Sequence, residues 1–241
     1  LAQIRATNAI VMVLRCFADD NIIHVEEGVD PIRDMEIINT ELIMKDLETV
    51  EKRLGSVEKE LRGNNKEALK EKEALEKAQE KLLAGQLITE LADDPSIYNM
   101  QLLTAKKQIY LLNGEEGDVS EDLKKKIAEM GFDYVIVDLK EKPDLKDLIN
   151  KAFEVLNLIS FFTTGKEETR SWTIKKGSLA PQAGGAIHGD FEDKFIKAEI
   201  INTEKLLEAG SWQVAKSKGW LKLEGKEYEV KDGDVIVFRH G

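Results

Sequence analysis

The 241 residues carry 35 Lys and Arg against 46 Asp and Glu, a net charge of −11, and this acidity excludes sequence-independent coating of DNA while leaving room for a local basic patch. The length allows one large domain or two to three small ones. The single cysteine, Cys16, excludes an internal disulfide and a cysteine-based zinc spacing, so a reducing, cytoplasmic setting is expected, and no apolar run reaches the ~18 residues that would span a membrane.

Residues 1–10 read as the last turns of a helix, and because Leu1 is not an initiator methionine the native protein is expected to begin upstream. Ala9 to Phe17 is a short apolar run rich in β-branched residues, as in a strand buried on both faces of a parallel sheet. Asp19-Asp20-Asn21 closes it with a loop signal. Asp34 to Leu83 is dense in Glu, Lys and Leu and contains no proline. Leu47, Val50, Leu54, Val57 and Leu61 step by three and four, Gly63-Asn64-Asn65 breaks the run, and Ala68, Leu75 and Leu82 repeat at seven. This spacing predicts an antiparallel helical hairpin inserted into an α/β domain.

A second strand is predicted at Gln108–Leu112 and a third at Tyr134–Leu139, with helices at Ser120–Met130 and Leu145–Leu156. Strand and helix in alternation are the signature of an α/β domain. From Ile159 the texture changes: all three tryptophans fall beyond it, and Arg170–Lys175 alternates around Trp172 and Ile174. Lys226–Val230 and Val235–Arg239 flank an Asp-Gly turn, which predicts a hairpin closing a small mixed β domain.

Several stretches resemble one family. They are Ile4-Arg5-Ala6-Thr7-Asn8-Ala9-Ile10, Arg15-Cys16-Phe17, Ile22-Ile23-His24-Val25 and Val29-Asp30-Pro31 in the first part. Later come Trp172-Thr173-Ile174, Ala180-Pro181, Ile187-His188, Asp190-Phe191-Glu192, Phe195-Ile196-Lys197-Ala198-Glu199 and Asp232-Gly233-Asp234-Val235. Together they are similar to the YchF/Obg-like ATPases, P-loop NTPases with a C-terminal TGS domain. The resemblance implies an α/β fold in three parts. Residues 1–33 and 102–157 would be the C-terminal half of a Ras-like G domain, 34–101 the inserted helical hairpin, and 158–241 a ubiquitin-like β-grasp TGS domain.

It also implies ATP as ligand, with an Asn-x-x-Glu base-reading motif where most G domains have Asn-Lys-x-Asp. Asn113-Gly114-Glu115-Glu116 follows the second strand directly, and loops at the carboxyl ends of parallel strands are where open α/β sheets bind ligands. Asn113 and Glu116 would read adenine, and Gly114 would offer backbone; read without the family, Asn113-Gly114 is a turn after a strand. Asp138 stands at the third base-contacting loop, where many relatives have a Ser-Ala pair. Phe17, at the end of the first strand, either stacks on the base or caps the core. His24 in the next loop is a general base or a loop-ordering hydrogen-bond partner.

Arg170, Lys175, Lys176, Lys194 and Lys197 lie among Trp172, Phe191 and Phe195, a mixture that binds RNA or coats an aromatic core. The resemblance favours a ribosomal contact there. No Gly-x-x-x-x-Gly-Lys-Ser/Thr occurs in the 241 residues, so phosphate binding and the ligands of Mg2+ are expected to lie upstream, with no catalytic residue here. Two functions follow: a ribosome-associated ATPase in the complete protein, this chain alone being inactive, or a non-catalytic module that binds RNA or protein. Neither DNA nor a membrane is expected as partner.

Overall fold

The structure, a computed structural model, describes residues 2–19, 28–61, 66–140, 143–165 and 168–241. They fall into two compact units, residues 1–152 and 153–241. In the first, helix α1 (Ala2–Arg5) leads into strand β1 (Ala9–Arg15). Helix α1 therefore ends sooner than residues 1–10 suggested. Strands β2 (Lys107–Asn113) and β3 (Asp133–Val137) complete a parallel sheet in the order β1-β2-β3, with Arg15, Asn113 and Val137 in register at its carboxyl edge.

β2 has a strand on each side, and Ile109, Tyr110, Leu111 and Leu112 are all buried. The same was expected of β1, and here the structure differs. Met12 and Leu14 are buried, whereas Val11 and Val13 on the other face are 41% and 51% exposed. β1 is an edge strand, and nothing among the described residues covers it at those two positions; an apolar run cannot by itself distinguish a central strand from an edge one. The covered face receives α5 (Glu121–Glu129), whose Leu123 and Ile127 join Met12, Leu14, Tyr110 and Leu112 in one core. Ser120 starts that helix by accepting a hydrogen bond from the Leu123 N–H at 3.3 Å. Helix α6 (Lys146–Val155) follows β3.

Two long helices separate β1 from β2. α2 (Pro31–Glu60) begins where the sequence demands: Asp30 accepts from the Ile32 and Arg33 N–H groups at 3.1 and 3.0 Å, and Pro31 occupies the first helical position. α3 (Lys66–Leu83) runs back along it, with Val50, Val57, Ala68, Leu75 and Leu82 buried in a common seam. Arg53 crosses that seam to hold both oxygens of Glu71, at 2.6 and 2.8 Å. α4 (Pro95–Met100) repeats the Asp-Pro start, with Asp94 accepting from Ser96 N–H.

Where the helix pair meets the sheet, α2 turns Asn39 and Asp46 inward, seven residues apart and so on one face. Asn39 Nδ2 donates to the Tyr110 hydroxyl at 3.2 Å, and that hydroxyl donates to Gln108 at 3.0 Å. Asp46 Oδ2 accepts from the N–H and the hydroxyl of Thr104, at 2.7 and 2.8 Å, while Arg5 lies 3.3 Å from Oδ1. A polar seam thus separates the core under the sheet from the core between the helices.

The second unit is a five-stranded mixed sheet. β4 (Leu158–Thr164) and β5 (Thr169–Lys175) pair antiparallel; β6 (Phe195–Asn202), β7 (Lys222–Glu224) and β8 (Asp234–His240) complete the order β5-β4-β8-β6-β7, with β4 and β8 parallel. One face packs Phe161, Ile174, Ala198, Ile200 and Ile236 under α7 (Ala180–Gly185), which is followed by α8 (Gly189–Asp193). The other packs Phe162, Ile201 and Val235 under α9 (Thr203–Ala209) and α10 (Trp212–Ser217).

The closing hairpin is not found. Gly233 turns at φ +80°, yet Lys226–Val230 forms no strand, only an isolated bridge from Glu229 to Leu179. β8 pairs with β6 and β4 instead. Asp234 explains the preference, since its buried carboxylate accepts from Tyr228 hydroxyl and Lys231 N–H at 2.8 and 2.9 Å, and these bonds hold the preceding segment as a loop.

Candidate functional site

The carboxyl edge of the parallel sheet gathers residues from three loops. Asn113 closes β2; its carbonyl accepts from Cys16 N–H at 2.9 Å, and its side-chain Oδ1 accepts from Leu139 N–H at 3.0 Å. That second bond fixes the amide so that Nδ2 is the outward donor, with no partner among the described residues. Gly114 donates its N–H to the Val137 carbonyl at 3.3 Å. A Cβ at Gly114 would stand 3.1 Å from Asp118 Oδ2 and 3.4 Å from Cys16 Cβ, so the loop closes tightly only around glycine.

Asp138, beside Leu139, turns its own carboxylate back to Lys140 N–H at 3.0 Å. Phe17 is buried and has two cations over its ring: the Arg15 guanidinium is 4.9 Å and the Lys140 ammonium 5.0 Å from its centroid. Asn113, Gly114, Asp138 and Phe17 therefore share one edge. Glu116 belongs to the same loop, but its carboxylate bonds Lys124 at 2.6 Å; Lys124 also bonds Glu121, and the two bonds hold its ammonium above the usual lysine range.

The acid that shapes the loop from inside is Asp118, which sequence reasoning missed. Glu115 and Asp118 form a reciprocal cap around a single turn of 3-10 helix, with Asp118 accepting from Glu115 N–H at 2.9 Å. The signal was the capping-box spacing, Glu-x-x-Asp. Lys140 was missed as well, for only the fold brings it to Phe17. His24 lies outside the described residues. Among the described residues no group of three or more His, Cys, Asp and Glu could hold a metal ion, and no helix is long and apolar enough to cross a membrane.

In the second unit the five basic residues do not form one cluster. Strand alternation puts Arg170 on the face of Trp172, with its guanidinium 4.2 Å over that ring, and Lys175 on the opposite face with Lys197. Lys194 pairs with Asp190 at 3.2 Å, and Lys176, exposed just beyond β5, donates its N–H to the Asn157 carbonyl. His188 accepts from Asp190 N–H at the start of α8, and His240 stacks on Phe191 at 4.4 Å.

Fold and loop define the class: an α/β chain of helices and mixed sheets whose parallel strands end in an Asn-x-x-Glu loop. The family described as YchF-GTPase_C, "Protein of unknown function (DUF933)", matches residues 158–241. The "Ribosome-binding ATPase YchF" of Bacillus subtilis is 38% identical over 273 residues, covering 99% of this chain and 75% of that protein. "Obg-like ATPase 1" of Saccharomyces cerevisiae is 36% identical over 280 residues, covering 100% of this chain and 71% of the relative. The solved structure of the Schizosaccharomyces pombe YchF GTPase superposes with a TM-score of 0.79 at 34% identity, covering 99% of this chain and 74% of that one. The chain belongs to the YchF/Obg-like ATPase family.

Proposed function

We propose that this chain supplies the base-reading loops and the ribosome-facing parts of a cytoplasmic ATPase. In this reading residues 1–33 and 102–157 are the C-terminal half of a Ras-like G domain. Residues 34–101 are an inserted coiled-coil arm and 158–241 a β-grasp TGS domain. The observation that carries the reading is Asn113: its Oδ1 is committed to Leu139 N–H, which leaves Nδ2 to donate to a ring nitrogen of a purine. Glu116, Asp138 and Phe17 would border the same place, Glu116 by exchanging its bond to Lys124 for one to the base. ATP is favoured over GTP because the curated relatives are named ATPases, although the solved relative is named a GTPase. With no P-loop sequence among the 241 residues, the phosphates and Mg2+ need groups that these residues do not supply. The names of the relatives support a ribosomal partner.

Two measurements test this. The 241-residue chain is expected to release no phosphate from ATP above background; turnover abolished by chelating magnesium would refute it. In a protein that also carries the phosphate-binding segment, Asn113→Ala weakens ATP binding about tenfold, roughly 1.4 kcal/mol for a lost polar match. Calorimetry returning an unchanged affinity sinks the assignment of Asn113.

A further inference from the structure

In a chain where acids outnumber bases, residues 209–223 contain no acidic residue at all, but three lysines and two tryptophans. The fold gathers them at one end of the second unit. Ser211 caps α10, its hydroxyl accepting from Val214 N–H at 3.3 Å. Gly219, at φ +68°, ends the helix and lets Trp220 N–H reach back to the Ala215 carbonyl at 3.0 Å. The chain then enters the edge strand β7 at Lys222. Lys216, Lys218 and Lys222 are all exposed and make no ion pair among the described residues, unlike Lys194 and Arg239 of the same unit, which pair with Asp190 and Glu199. Trp220 is half-buried against the core of Ile201, Ala215 and Val235, so the ring is anchored; the Lys218 ammonium lies over it, 4.3 Å from its centroid, and would turn to a phosphate as a base takes its place.

We propose that Lys216, Lys218, Lys222 and Trp220 form a binding surface for single-stranded RNA. Unpaired ammonium groups attract phosphates without first breaking an ion pair, and an anchored indole offers a stacking surface at small entropic cost. Charge complementarity selects the partner. A net charge of −11 opposes close approach to a broad anionic lipid surface, whereas a flexible phosphodiester strand engages only the local basic site. Glu204 and Glu208 of α9 and Glu224 of β7 border the segment and confine the site to the turn and the start of β7. The inference rests on the ribosome reading only for where such RNA would come from.

The test is fluorescence anisotropy of a labelled twelve-nucleotide oligouridylate titrated with the 241-residue chain. Lys216→Glu/Lys218→Glu/Lys222→Glu is expected to weaken binding tenfold or more and to flatten the log-affinity against log-salt slope by about 2, near 0.7 per lost phosphate contact. Trp220→Ala should weaken binding with the slope unchanged; Trp220→Phe, which keeps a ring in the core, should restore most of it. Lys175→Glu/Lys176→Glu/Lys194→Glu should bind as wild type. The proposal is overturned if the wild-type chain does not bind the oligonucleotide, if the Lys175 set abolishes binding while the Lys216 set does not, or if the chain binds phosphatidylserine vesicles and no RNA. Ribosome co-sedimentation is scored separately. RNA binding without pelleting refutes the ribosome reading alone, and pelleting unaffected by the Lys216 set, with oligonucleotide binding absent, refutes this surface alone.

Discussion

At the residue scale the carboxyl edge of the parallel sheet is governed by small crowded contacts, and Cys16 reports on them. It sits against Gly114 and Asp118, half-buried, and burial, reinforced by the Asp118 carboxylate, pushes its thiol up to about 11. Only the thiolate is nucleophilic, so alkylation by iodoacetamide should be slow at pH 8 and keep rising towards pH 11, where an ordinary thiol levels off above its value near 8.5. Because the folded value is raised, the stabilisation from the protonated form is complete below the unfolded value and is lost as pH climbs towards about 11. A rate profile with its midpoint near about 8.5 would mean that Cys16 is open to solvent. The place of Asn113 at the end of β2 was legible from the apolar run before it. The contacts of Asp118 and Lys140 were harder to read, because neither has a partner in sequence that foretells Gly114 or Phe17 until the loops that carry them are folded.

At the scale of elements, the start of α2 is encoded locally, although the charge pattern sets it at Asp34, and what lies beside each strand is not encoded locally at all. Asp30-Pro31 announces α2 through two hydrogen bonds and a fixed φ, all local. The fate of β1 and of Lys226–Val230 is decided by what lies beside them, which no local pattern encodes. The polar seam is the same kind of feature: Asp46 reads as one more charge on a charged helix, yet it is fully buried against Thr104 and Arg5. Removing it leaves two buried Thr104 donors without an acceptor, while Arg5 keeps the Gln101 carbonyl, so Asp46→Ala should cost about 1–3 kcal/mol per stranded donor. Asp46→Asn, which keeps an acceptor for Thr104, should cost distinctly less. Urea unfolding of both variants measures the difference. Equal losses below about 1 kcal/mol would show that the seam does not hold the helix pair to the sheet.

At the scale of the whole molecule, the parallel pairing of β1 with β2 dictates an order of events. Ala9 meets Lys107, and roughly a hundred positions must be looped out before the first ladder bond forms; the length-dependent entropy of that closure is about 4 kcal/mol. A chain paying it in one step would fold slowly. The helix pair offers a shorter route, because α2 and α3 contact each other through near neighbours in sequence and, once zipped, bring the ends of the intervening segment together. The inserted helices would then act as a folding catalyst for the sheet they interrupt. Leu75→Ala, deep in the helix seam, should lower stability by about 2–5 kcal/mol and slow refolding, while Ile127→Ala, in α5 against the finished sheet, should chiefly hasten unfolding. Stopped-flow chevrons separate the two, and a Leu75→Ala variant that moves only the unfolding limb would place sheet closure first. In this light the insertion between the two strands is a splint: the element that lengthens the loop is also the one that shortens the search.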